Sequence, residues 1–190
     1  MQEHIKEIVI DNQTDIIVVL VGLMGAGKTF IGRKLAAKLR IPFFDADVEI
    51  ETAAGCSIKE IFERYGEKEF RTGERRVIRR LLKEKTAVVA TGGGAFIDPE
   101  TRCLISKQAV SIWLRAKHNT LLKRTAGRHH RPLLNQGDPA DILETLIKSR
   151  YPIYKEADIT IESDSYNSKE TLQKIINSLI QIKKITANNV

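Results

Sequence analysis

Residues 16–29 read Ile16-Ile17-Val18-Val19-Leu20-Val21-Gly22-Leu23-Met24-Gly25-Ala26-Gly27-Lys28-Thr29. The apolar run from Ile16 to Val21 is mostly β-branched and unbroken by polar residues, the pattern of a parallel strand covered on both faces. It stops at a glycine. The loop that follows has the spacing Gly-x-x-x-x-Gly-Lys-Thr, in which glycines let the backbone curl with several N–H groups pointing inward. Those amides, with the N-terminus of the next helix, form an anion cradle. Lys28 reaches the β- and γ-phosphates of a nucleoside triphosphate, and the Thr29 hydroxyl is placed to ligate Mg²⁺.

Outward from this loop, strand-like and helix-like segments alternate. Ile41–Phe44, Thr86–Ala90, Val110–Leu114 and Ile159–Ile161 read as four more strands. Helices are expected over Thr29–Leu39, Ser57–Tyr65, Glu67–Lys85, His118–Ala126, Asp141–Lys155 with a break at Pro152, and Ser168 to about Ile185. Such alternation implies right-handed crossovers and a mostly parallel sheet between helical layers. The expected fold is a three-layer α/β/α sandwich with a five-stranded parallel sheet. Ligands of such sheets gather at the carboxyl ends of the strands. Gly22–Thr29, Asp45 and Asp47, and Gly92–Gly94 all fall there.

Composition sets outer bounds. The chain has 190 residues and a net charge of +7, which suits a polyanionic ligand without saying which. No apolar run approaches the roughly 20 residues that cross a bilayer. Residues 1–14 are polar, with Glu3, Glu7 and Asp11, and do not resemble a signal peptide, so a cytoplasmic protein is expected. These residues read as a flexible extension before one kinase-sized domain over 15–190. Cys56 and Cys103 have no metal-ligand spacing and are too few for a disulfide framework.

The loop identifies a nucleotide, not the reaction. The later strands end in Thr91-Gly92 and Leu114-Arg115, without the aspartate that hydrolytic relatives of this loop place there. Asp45 and Asp47 alternate, so in extended geometry they point the same way, one crossover helix beyond Lys28. One can order the Mg²⁺ shell while the other accepts a hydrogen bond from a substrate hydroxyl or takes its proton. The plain alternative is a solvated turn or an N-cap for Val48–Ala54. Gly92-Gly93-Gly94 leaves room for something to approach the backbone. Arg71 lies among many helical arginines, with Glu74 at i+3 to steady it. Gly127–Asp138 is a polar, basic loop able to close over a nucleotide and deliver an arginine.

These pieces, in this order, resemble the shikimate kinase family over about residues 15–185. The resemblance rests on the phosphate loop, Phe44-Asp-Ala-Asp47, Ser57-Ile58-x-x-Ile61-Phe62, Glu69-Phe-Arg71-x-x-Glu74, Thr91-Gly-Gly-Gly94, Arg131-Pro-Leu-Leu134 and Arg150-Tyr-Pro-Ile-Tyr154. It implies a P-loop kinase with a mobile lid over about 123–138 and shikimate-binding helices over about 48–85. The implied reaction moves the ATP γ-phosphate to the 3-hydroxyl of shikimate. Lys28, Asp47 and Arg131 would be catalytic. ATP would meet Gly25, Ala26, Gly27, Lys28, Thr29 and Phe30, with Arg124 against adenine and Arg131 from the lid. Shikimate would be held by Asp47, Arg71, Gly92, Gly93, Gly94 and Arg150, the two arginines gripping its carboxylate. Mg²⁺ would bind Thr29 directly and Asp45 through water. Phe30 departs from the family pattern, where a second hydroxyl residue is common.

The resemblance implies a monomer that binds neither nucleic acid nor membrane. Two rival readings come from other substrates and another class. A gluconate kinase also acts on a polyol carboxylate, although Phe70-Arg71-x-x-Glu74 and Arg150-Tyr-Pro favour shikimate. A basic ATP-dependent nucleic-acid binder is suggested by the Arg71–Lys85 helix, but that helix has a regular apolar face and lacks interleaved aromatics for base stacking.

Overall fold

A computed structural model describes residues 15–126, 137–164 and 167–183. Five strands form one parallel sheet: β1 (Ile17–Val21), β2 (Phe43–Asp45), β3 (Ala87–Ala90), β4 (Val110–Arg115) and β5 (Ile159–Glu162). Their spatial order is β2-β3-β1-β4-β5. The strand that carries the phosphate loop is therefore central. Every residue of β1 and β3 is buried, as parallel strands covered on both faces must be. At the edge, β5 alternates buried and exposed residues.

The connecting helices are α1 (Lys28–Leu39), α2 (Ala46–Ala54), α3 (Ile58–Leu81), α4 (Pro99–Gln108), α5 (His118–Thr125), α6 (Pro139–Tyr154) and α7 (Ser168–Lys183). Among the described residues, none is long and apolar enough to cross a membrane. Helix α1 buries Ile31, Gly32, Leu35, Ala36 and Leu39, a stripe that packs it on the sheet. Gly32 is a fitted position: a Cβ there would stand 2.6 Å from Cε2 of Phe43 and 3.1 Å from Cδ1 of Leu20. Ser57 and Glu60 form a reciprocal capping box that starts α3.

Three expectations are corrected. Asp45 ends β2 and caps α2, its Oδ1 accepting from the Asp47 N–H at 3.2 Å, so the Asp45–Asp47 segment turns into a helix rather than staying extended. The N-cap alternative applies to Asp45, with α2 beginning at Ala46. Helix α4 was not anticipated, although Asp98 followed by Pro99 is a start signal: Asp98 accepts from Thr101 N–H at 2.9 Å and Pro99 occupies the first turn. Helix α6 runs through Pro152 instead of breaking there. Nearby Tyr151 and Tyr154 both anchor it, their hydroxyls donating to the Ala116 and Gly93 carbonyls. The expected break between two helices does occur at Gly66, which has φ 77° and ψ 176° inside α3.

Gly32→Ala should cost about 1–3 kcal/mol by overpacking against Phe43 and Leu20. Gly73→Ala, a helical position with nothing within 4 Å of the new Cβ, should instead stabilise by about 0.5–1 kcal/mol. Urea unfolding of the two variants reads both signs.

Candidate active site

The phosphate loop leaves β1 through Gly22 at φ 133° and turns again at Gly25 and Gly27, with φ of 80° and 94°. L side chains rarely adopt these angles, which explains the glycines. A Cβ at Gly22 would also meet the Leu114 carbonyl at 2.7 Å. Lys28 donates to the carbonyls of Gly22 at 2.7 Å and Leu23 at 3.0 Å, so its ammonium lies along the loop. Ala26 is buried. The Thr29 hydroxyl donates to Asp45 Oδ2 at 2.7 Å, linking the loop to the end of β2.

Arg124 reaches the same loop from α5. It donates to the Ser163 carbonyl at 2.8 Å and the Gly25 carbonyl at 3.4 Å, while Ser163 Oγ donates to the Ala26 carbonyl at 3.1 Å. Phe30 is exposed beside the loop, with the Lys34 ammonium 4.4 Å from its ring centre and Lys34 bonded to Ser168. Arg131 and most of the expected lid, residues 127–136, lie outside the described residues.

On the other side of the loop, four elements converge. Arg71 is clamped by two acids: Nη1 donates to Glu74 Oε2 at 2.7 Å and Nη2 to Glu67 Oε1 at 3.2 Å. Gly94 backs onto this guanidinium so closely that a Cβ would lie 2.5 Å from Nη2 and 2.6 Å from Nη1. A Cβ at Gly92 would meet Asp47 Oδ1 at 2.7 Å and Glu74 Oε1 at 3.2 Å. Arg150, from α6, donates to the Gly93 carbonyl at 3.1 Å. Asp47, Arg71 and Arg150 thus come from three helices to one glycine loop.

Burial would lower the Arg71 pKa, but the charge and hydrogen bonds of Glu74 and Glu67 outweigh it and raise it. The Glu74 carboxyl is pushed up by burial first, with the nearby charges of Asp47 and Asp98 adding to it and Arg71 opposing. Its Oε1 is buried with no hydrogen-bond partner among the described residues. The sequence reading cast Glu74 only as support for Arg71; its burial, at 1% exposure, was signalled by its place one turn before Val77 and Ile78 on the apolar face. Glu67 and Tyr154 have no place in the site expected from the sequence, although Tyr154 lies within a quoted stretch.

A phosphate loop on the central strand, facing a carboxylate and two arginines across a glycine run, defines a P-loop kinase of small molecules. The profile of the shikimate kinase family matches residues 24–180. A shikimate kinase of Paramagnetospirillum magneticum is 55% identical over 163 residues, 86% of this chain and 84% of the relative. One from Bradyrhizobium diazoefficiens is 51% identical over 85% of this chain and 78% of its own length. Among solved structures, shikimate kinase from Acinetobacter baumannii in complex with shikimate has a TM-score of 0.86 at 39% identity, covering 90% of this chain and 96% of that one. A gluconokinase from Sinorhizobium meliloti has a TM-score of 0.62 at 15% identity, a likeness of fold alone. The chain belongs to the shikimate kinase family, and is accordingly a phosphotransferase that uses ATP.

Gly94→Ala should displace the Arg71 guanidinium and raise the KM for the phosphoryl acceptor more than about tenfold, the loss of a hydrogen-bonded charged contact. The KM for ATP should stay within about twofold. Steady-state kinetics with each substrate varied in turn checks both values.

Proposed function

We propose that this chain transfers the γ-phosphoryl group of ATP to the 3-hydroxyl of shikimate, giving shikimate 3-phosphate and ADP. The observation that carries the reading is Arg71, held by Glu74 and Glu67 against Gly94, with Arg150 on Gly93 beside it. Two forked cations at one glycine loop suit a planar carboxylate. The Asp47 carboxylate at Gly92 repels a phosphate and favours a hydroxyl donor. The acceptor is therefore read as a hydroxyl-bearing carboxylate.

In this reading Gly25–Thr29 wrap the ATP phosphates with backbone amides, Lys28 leaves its loop carbonyls for the β- and γ-phosphates, and Arg124 lies against the base. Phe30 contributes through its place in the first turn of α1. Asp47 receives or orients the proton of the attacking hydroxyl, and Arg131 brings positive charge to the transferred group. Thr29 and Asp45, two hard oxygen donors bonded at 2.7 Å, fit Mg²⁺, which takes few protein ligands and completes its shell with water and phosphate. When bound, Mg²⁺ neutralises charge that develops on the phosphate oxygens. Thr29 would hold it directly, and Asp45 through water.

Residues 15–190 are read as one kinase domain, working as a cytoplasmic monomer on ATP and shikimate. Of the α3 arginines that suggested a nucleic-acid surface, Arg71, Arg75 and Arg80 are held by acids: Arg71 by Glu67 and Glu74, Arg75 by Asp98 and Glu100, and Arg80 by Glu49. That pairing favours a small-molecule acceptor.

A coupled assay with ATP–Mg²⁺ should show turnover with shikimate and none with gluconate; the reverse preference would overturn the reading. Asp47→Asn should lower kcat by about 10²–10⁴-fold with ATP binding intact. Wild-type turnover in that variant would remove Asp47 from the chemistry. Arg71→Ala should raise the shikimate KM roughly ten- to hundredfold while the ATP KM moves little; equal effects on both would count against carboxylate binding.

A further inference from the structure

The Gly93 carbonyl is a junction that the proposed roles leave unexplained. It accepts two hydrogen bonds from α6, one from Arg150 Nη1 at 3.1 Å and one from the Tyr154 hydroxyl. The two donors stand four residues apart, so they share one helix face. Gly93 also lies beside the phosphate loop: a Cβ there would stand 3.7 Å from the Gly22 carbonyl oxygen and the Met24 nitrogen, and equally far from Arg150 Nη1 of α6. The next residue, Gly94, packs against the Arg71 guanidinium. The Gly93–Gly94 peptide therefore separates the two arginines read as the carboxylate clamp.

Tyr154 is fully buried, its ring centre 6.4 Å from that of Phe96 and 5.9 Å from that of Trp113. Packed on those aromatic rings, the hydroxyl has little freedom to move. Burial pushes its pKa up to about 12, so it remains a donor throughout the working range. The peptide it holds is trans, so fixing the Gly93 carbonyl also fixes the Gly94 N–H on the opposite side. A triple glycine run has no side chains of its own to supply this rigidity, and glycine loses the most freedom when ordered.

We propose that Tyr154 is a positioning residue for the acceptor: its hydroxyl locks the Gly93–Gly94 peptide and thereby sets the spacing of Arg71 and Arg150. It touches no substrate and acts only through that peptide and Arg150. The proposal rests on shikimate being the acceptor.

Tyr151 supplies the control, because its hydroxyl donates to the Ala116 carbonyl from the same aromatic cluster and does not touch the glycine run. Tyr154→Phe and Tyr151→Phe are compared with wild type in shikimate KM, ATP KM, kcat and melting temperature. Y154F should raise the shikimate KM about three- to tenfold, the effect of one lost hydrogen bond, with the ATP KM within about twofold. Y151F should lower the melting temperature as much as Y154F does and leave the shikimate KM unchanged. The proposal is overturned if Y154F keeps the wild-type shikimate KM, if it moves both KM values in parallel, or if Y151F reproduces its effect. An unfolded Y154F would overturn it too, since the hydroxyl would then be structural. Wild-type protein without shikimate turnover would instead refute the functional reading, so the two failures are distinguishable.

Discussion

Two backbones meet where β1 and β3 end, and the site depends on how closely they approach. Thr91 fastens them: its N–H donates to the Leu20 carbonyl at 3.1 Å and its hydroxyl donates to the same oxygen at 3.0 Å. Beyond that latch, both chains switch to glycine. Gly22 has no room for a Cβ beneath the Leu114 carbonyl, and Gly93 lies against Gly22 and Met24. A parallel sheet with β1 beside β3 brings the phosphate loop and the Gly92–Gly94 run together. Phosphoryl transfer needs little covalent chemistry from the protein, so this placement carries much of the catalytic burden.

Charge is arranged to complement that geometry. A net charge of +7 would be a diffuse attraction if its cations were loose. On α3 three of them are not, because Arg71, Arg75 and Arg80 are each tied to acids. Arg71 is the member of this set that faces the glycine run. Its partner Glu74 is nearly inaccessible, and one of its oxygens has no hydrogen bond among the described residues. A buried acceptor left unmade costs about 1–3 kcal/mol, so packing alone gives no reason to keep a carboxylate there. What it does in the structure is hold the Arg71 guanidinium that packs against Gly94.

The fold was largely legible because its strongest signals are local. The run of residues 16–21 and its four companions locate the strands to within one or two residues, since continuous β-branched segments mark covered parallel strands. Helix α2, expected only from about residue 48, and α4, which the pattern obscures, are short and bury two residues each. Their start signals are single side-chain caps, Asp45 and Asp98. Asp45 and Asp47 suggest an extended segment for the same reason: two alternating acids make a strand pattern, and the coil after them is not written in their spacing. Pro152 predicts a break because a proline removes a helical hydrogen bond, yet the aromatic anchors on either side carry α6 past it.

The site divides unevenly between sequence and structure. Its donor half is made of backbone, and backbone conformation at Gly22, Gly25 and Gly27 is written directly as glycine at fixed spacing. The other half, read as the acceptor side, is built from distances between α2, α3, α6 and β3, which no spacing encodes. Asp47 and Glu74 are 27 positions apart in the chain, yet both would touch a Cβ at Gly92. Arg150 and Tyr154 lie more than fifty residues beyond Gly93 and close on its carbonyl. A loop with no side chains takes its shape from its neighbours, so the glycines that mark this half of the site are also the residues that conceal which neighbours shape it.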